Sequence, residues 1–167
     1  HTGGGKTMAP SALIFYLGIN KKLKNIKHHC LFFDKDFNNH SKEIYNTPRW
    51  PSDPLFYASF SSKTDPETAP KNHENMVLLI PIASGLEDNK LIRNKYFELI
   101  ISRFEKITKQ SIKNNIIYKR SYAIRDFKKD YNSFKGNAYG LANTLFQTAI
   151  FKPSIRNKKL KNLFFCG

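Results

Sequence analysis

Several groups of residues in this 167-residue chain have types and spacings that chemistry could use. At the start, Gly3-Gly4-Gly5-Lys6-Thr7 spells part of a phosphate-binding loop, in which backbone N–H groups and a lysine surround a nucleotide phosphate. That loop needs a buried strand leading in and a helix leading out. Here Pro10 falls where the helix would be gaining backbone hydrogen bonds. A flexible glycine tail fits the stretch better. His28-His29-Cys30, with Asp34 and His40 nearby, raises a metal site. Neighbours on a strand point to opposite faces and the usual paired ligand spacings are missing, so ordinary strand residues are the expectation, and no metal. Asp34 with Asp36, and Asp126 with Asp130, could be acid–base carboxylates, but surface pairing with nearby lysines is the favoured reading. The string "YKRSYAIRDFKKDYNSF" interleaves basic and aromatic residues, as a surface that tracks phosphates and stacks bases would, and as a core-filling segment also would.

These residues must be held by a framework, and composition says which kind. Apolar residues make up 40% of the chain and aromatics 14%, which excludes a disordered tail. The length suits one domain with a real core. No apolar run approaches the length of a membrane span. Two cysteines, Cys30 and Cys166, make no disulfide framework, and with no secretory signal visible a cytoplasmic location is expected. The net charge of +15 fits a polyanionic partner, nucleic acid, acidic protein or anionic lipid, and equally a solvated basic face with no such partner.

Apolar runs bounded by turn residues predict strands at 11–17, 29–33, 55–60, 76–81, 116–122 and 160–165. A short helix is predicted over 36–46. A long amphipathic helix is predicted over 90–108, with Ile92, Tyr96, Leu99, Ile100, Phe104 and Ile107 toward the core. The stretch 125–147 alternates glycines and aromatics without clear periodicity. Several strands, one long helix and no regular strand–helix alternation predict an α+β domain: a mixed, largely antiparallel sheet with the long helix packed on one face.

Five strings carry a resemblance: "SALIFYLGINKKLKNIKHHCLFFDKDF", "IYNTPRWPSDPLFYASFSSKTDPETAP", "IPIASGLED", "YKRSYAIRDFKKDYNSFKGNAYGLANTLFQTA" and "IRNKKLKNLFFCG". Together they resemble the bacterial-type phytoene desaturases, the carotenoid desaturase branch of the flavin-dependent amine oxidase superfamily. The resemblance implies that residues 1–6 are a tail, 7–159 the substrate-side domain, and 160–167 the start of the return to a flavin domain. It implies an internal piece of an FAD-dependent enzyme that introduces C=C bonds into phytoene or a related carotenoid by hydride transfer, with FAD in the full-length parent and neither FAD retention nor activity expected in the piece alone. It implies a peripheral location on an anionic membrane surface, no nucleic acid, and self-association through an exposed domain interface. Gly167, at the opening of the family's C-terminal flavin motif, would approach the cofactor; Asn137, Tyr139, Gly140 and Leu141 of "GNAYGLAN" would wall flavin and polyene, or form a structural turn. The alternative reading from the residues themselves is a stand-alone basic module that binds nucleic acid or another polyanion, and a further one is a non-catalytic lipid-surface protein.

Overall fold

The computed structural model describes residues 8–140, 142 and 155–164. Their centre is a five-stranded sheet, β1 (Ser11–Ile19), β2 (His29–Phe32), β3 (Phe56–Ser59), β4 (Glu74–Ile82) and β5 (Ile116–Tyr122), in the order β2-β3-β4-β1-β5. Every pairing between them is antiparallel. Three helices accompany it: α1 (Phe37–Tyr45), α2 (Lys90–Thr108) and α3 (Ile124–Tyr131). The α+β architecture with a long helix on one face is the one the sequence predicts.

Strand geometry explains the burial. Side chains alternate between faces, so in β1 Leu13, Phe15, Leu17 and Ile19 are buried while Ile14 and Tyr16 are not; in β4 the even residues from Met76 to Ile82 are buried and Val77 and Leu79 are half-exposed. The buried face meets α2. Asn89 starts that helix by accepting a hydrogen bond from the Ile92 N–H at 2.9 Å, and Lys109, with φ of 55°, ends it. Phe97 meets Phe15 edge-on at 5.4 Å between ring centroids, and Phe104 lies against Phe32 and Phe60. The helix residues that fill the core are Tyr96, Phe97, Ile100, Ile101 and Phe104. Leu99 and Ile92 are half-buried at the core's edge, and Ile107 is exposed. The expected stripe was therefore displaced toward Phe97 and Ile101, because two strands' width of sheet engages a broader arc of helix than one narrow seam.

The stretch without visible periodicity contains α3. Its first turn is held by Asp126, which accepts a hydrogen bond from the Ala123 N–H at 2.9 Å. Asp88 joins α3 to α2: buried, it accepts from the Arg93 guanidinium and from the Arg125 N–H, and Arg93 also pairs with Asp126 at 2.7 Å. Gly136 follows with φ of +64°, and a Cβ there would stand 2.5 Å from the Ile124 carbonyl oxygen, so only glycine fits. The chain then runs beside its own start: the Ala9 N–H donates to the Gly140 oxygen at 3.0 Å and the Ala138 N–H to the Pro10 oxygen at 3.1 Å. The expected strand at 160–165 is reduced, among the described residues, to one isolated antiparallel bridge between Arg156 and Phe164.

Candidate functional site

Among the described residues, the second face of the sheet carries no long helix. Antiparallel registers align its side chains into rows that cross all five strands. One row reads Tyr122, Ile14, Leu79, Tyr57, Leu31, and is apolar or aromatic throughout. The next reads Arg120, Tyr16, Val77, Ser59, His29, and is polar at both ends. With strands about 4.8 Å apart, each row is roughly 19 Å long. Gly18 lets the strands close up beside the second row, since the Tyr118 Cβ lies only 3.2 Å from where a Cβ of its own would stand.

Each end of the apolar row opens into a cavity. At the β2 end a cavity of about 260 Å³ lies under α1, with Leu31, Phe37, Ile44, Tyr57 and Pro81 in its wall. Its position is fixed by buried His40, whose Nε2 lies 2.8 Å from the Pro81 oxygen and whose Nδ1 accepts from the Leu55 N–H at 3.1 Å. Two such partners define the neutral ring with its proton on Nε2. Burial is the main cause that holds His40 below its ordinary range, against the Pro81 hydrogen bond and the Glu43 charge. At the β5 end a second cavity of about 620 Å³ is walled by Ile14, Tyr16, Tyr122, Phe134, Asn137 and Gly140, among others. Burial and then the hydrogen bond to Asp130, 2.9 Å away, push Tyr122 up to about 12. It stays a protonated donor to that carboxylate.

Of the residues singled out in the sequence, Asn137 and Gly140 line this second cavity, and Tyr139 is exposed and absent from its wall. Asn137 is also the lock of a turn. Its Oδ1 accepts from the Gly140 N–H at 2.5 Å and its Nδ2 donates to the Phe134 oxygen at 2.6 Å. Gly140 has φ of +79°, which that turn requires. Leu141 and Gly167, like residues 1–7, lie outside the described residues, as does most of the 136–150 segment expected to be an exposed interface.

The other candidates resolve into local structure. Asp34 pairs with Arg103, Asp36 caps α1 by accepting from the Asn38 N–H at 2.8 Å, and Asp126 and Asp130 have the partners named above. His28 and His29 do not diverge: their rings stack at 4.0 Å, because His28 precedes β2 and escapes its alternation. His29 Nδ1 lies 2.5 Å from the Tyr57 hydroxyl and His28 Nδ1 2.7 Å from the Thr64 hydroxyl. Among the described residues no three His, Cys, Asp or Glu side chains gather as metal ligands would. The basic–aromatic string is split by the sheet. Lys119 sits over the Phe97 ring at 4.1 Å on the covered side, while its neighbour Arg120 belongs to the open face. The rows themselves escaped sequence reading, since they depend on pairings between residues as far apart as Ile14 and Tyr122.

Comparison with known proteins gives this face its context. No family model matches the chain. Over 162 residues, 97% of its length, it is 38% identical to the carotenoid 3,4-desaturase of Haloarcula japonica, of which it covers 33%. Over nearly its whole length the chain is similar to carotenoid desaturases. It is 31% identical to the 4,4'-diapolycopen-4-al dehydrogenase of Metabacillus indicus, covering 96% of this chain and 33% of that one, and 27% identical to the zeta-carotene-forming phytoene desaturase of Myxococcus xanthus, covering 94% and 31%. The homologous chain thus spans about a third of the length of these curated relatives. No helix among the described residues is long and apolar enough to cross a membrane.

FAD is the cofactor the resemblance implies, and the two cavities at the ends of the apolar row do not fit its pyrophosphate. Neither cavity beside the open face has a lysine or arginine in its wall, and no glycine-rich turn opens one of the three helices.

Proposed function

We propose that this chain is the substrate-side segment of an FAD-dependent carotenoid desaturase, and that its open sheet face is the floor on which the polyene lies. On this reading residues 7–159 are the substrate-side part and 160–167 begin the return toward the flavin domain, where Gly167 would meet the cofactor. The parent introduces C=C bonds into phytoene or a related carotenoid by hydride transfer to FAD. The segment's share of that reaction is shape and exclusion of water, which isolates a reactive site from side reactions.

The observation that carries the reading is the apolar row Tyr122-Ile14-Leu79-Tyr57-Leu31 with a cavity at each end. A flat, rigid hydrocarbon gains binding energy from apolar contact area, and side chains anchored on strands present that area with little entropy left to lose. Asn137 and Gly140 shape the wall nearest the chain's paired start and exit, with Tyr139 and Leu141 beside them in sequence. Anionic lipid is the membrane partner to which the net positive charge corresponds, and a face this apolar also suits self-association. The segment alone is expected to retain no FAD and to be inactive.

Titration of the purified chain with detergent-solubilised lycopene, followed by induced circular dichroism in the visible band, tests this. A saturable signal that Leu79→Glu removes and Lys95→Glu on the exposed back of α2 leaves intact is the expected result. Absence of a signal with the unaltered chain overturns the reading.

A further inference from the structure

The open face has a chemical feature that a hydrocarbon cannot use. Among the five strands, charged side chains occur at Glu74, Lys119 and Arg120. Glu74 is buried on the covered side with Lys63 at 2.6 Å and Lys22 at 3.6 Å, and Lys119 is spread over Phe97. Arg120 stands on the open face. Arg49, Arg93 and Arg103 have carboxylate partners and Arg125 lies in reach of the Asp88 charge, whereas the exposed Arg120 side chain has no hydrogen bond, ion pair or ring contact among the described residues. Directly across from it is Tyr16, whose hydroxyl is likewise without a partner among the described residues, and two residues along the same strand is Tyr122. Both tyrosines line the larger cavity at the end of the apolar row.

We propose that Arg120, with the Tyr16 hydroxyl, receives the oxygen-bearing end of a polyene, a carboxylate or an aldehyde, whose hydrocarbon body lies along the apolar row toward α1. The proposal rests on the polyene-floor reading above and names its substrate class. A hydrocarbon laid over this end of the row would cover a guanidinium and leave it without a partner, which costs binding. A terminal carboxylate or carbonyl supplies the missing acceptor, and the planar guanidinium matches a carboxylate with two parallel N–H···O bonds. The same residue therefore attracts one class and rejects the other. Tyr122 does not compete for the oxygen, because its hydroxyl is already given to Asp130.

The experiment compares three all-trans polyenes of equal conjugated length, a terminal carboxylic acid, the corresponding aldehyde and the hydrocarbon, by induced circular dichroism with the purified chain. The acid is expected to bind about tenfold more tightly than the hydrocarbon, the worth of one charge-assisted hydrogen bond, with the aldehyde between them. Arg120→Gln should erase that order without weakening the hydrocarbon, and Arg120→Lys should restore part of the preference for the acid. Equal affinities in the unaltered chain, or a preference that survives Arg120→Gln, overturns the assignment while leaving the polyene floor standing. Full displacement of the acid by acetate also overturns it, since the site would then hold any anion. Failure of all three polyenes to bind overturns the floor and the assignment together.

Discussion

On the α2 side of the sheet, Phe15, Leu78 and Ala58 form a cross-strand row that is wholly buried. On the other side, Ile14, Leu79 and Tyr57 form the neighbouring row, similar in apolar character and only half-covered. The strands are the same and the side-chain types are similar; the difference is what lies on top. A soluble α+β domain with one bare face ordinarily places polar residues there. Among the described residues this face is apolar between α1 and α3, which departs from that pattern and is the contrast the polyene-floor proposal rests on. Stability is concentrated on the first face, and the proposed polyene contact is on the second.

That contrast is open to attack from several directions. The largest expected effect is at Phe104, fully buried between Phe32 and Phe60. Phe104→Ala should cost about 3–5 kcal/mol of unfolding free energy in urea titration, the range for an aromatic cavity. A loss under about 1 kcal/mol would show that the α2 face does not carry the stability. Next is Asp88→Asn, which leaves the Arg93 charge short of one buried carboxylate and should cost about 3 kcal/mol, the low end for such pairs because Asp126 still holds the arginine.

The Asp88 pair also sets a pH dependence. Burial pushes the Asp88 carboxyl up, but the Arg93 hydrogen bonds, the Arg125 N–H and both arginine charges outweigh it and leave the group below its ordinary value. A depressed carboxylate stabilises the fold at neutral pH, and the contribution is lost as pH falls below the ordinary value of about 3.9 toward the folded one. Acid unfolding of Asp88→Asn should accordingly be less steep than that of the unaltered chain; an identical profile would contradict the assignment. His40 gives a smaller, higher-lying effect. Because burial depresses it, protonation favours the unfolded state, and stability should decline as pH drops through about 6.5. A ring carbon shift of His40 that titrates at or above that value by NMR would count against the buried neutral ring. The smallest effect belongs to the open face: Val77→Thr, half-exposed beside Tyr16, should change stability by less than about 1 kcal/mol.

Much of the fold was legible in the sequence because apolar runs are long: β1, β4, β5 and α2 sit where their patterns place them. α3 was missed although Ile124, Phe127 and Tyr131 are spaced three and four apart; Lys128-Lys129-Asp130 diluted the signal, and Asp126 as the first-turn acceptor was the clue that could have found it. The 160–165 run reads as a strand from its apolar residues alone, yet pairing needs a neighbour, and among the described residues only Phe164 has a bridge partner, Arg156. For the site, Asn137 and Gly140 were singled out and do line a cavity, whereas the apolar row was invisible. Ile14, Leu79 and Tyr122 become neighbours only through register, a tertiary property that no local window contains.

The central claim is that a polyene covers the open face and not the helical one. It is tested most directly by thiol alkylation in a chain whose native cysteines are replaced by serine, with a cysteine introduced in turn at Leu79→Cys on the open row and at Ser102→Cys on the exposed back of α2. With saturating lycopene, alkylation at Leu79→Cys should slow at least several-fold while the rate at Ser102→Cys stays unchanged. Equal rates at Leu79→Cys with and without the polyene, or protection confined to Ser102→Cys, would contradict the account.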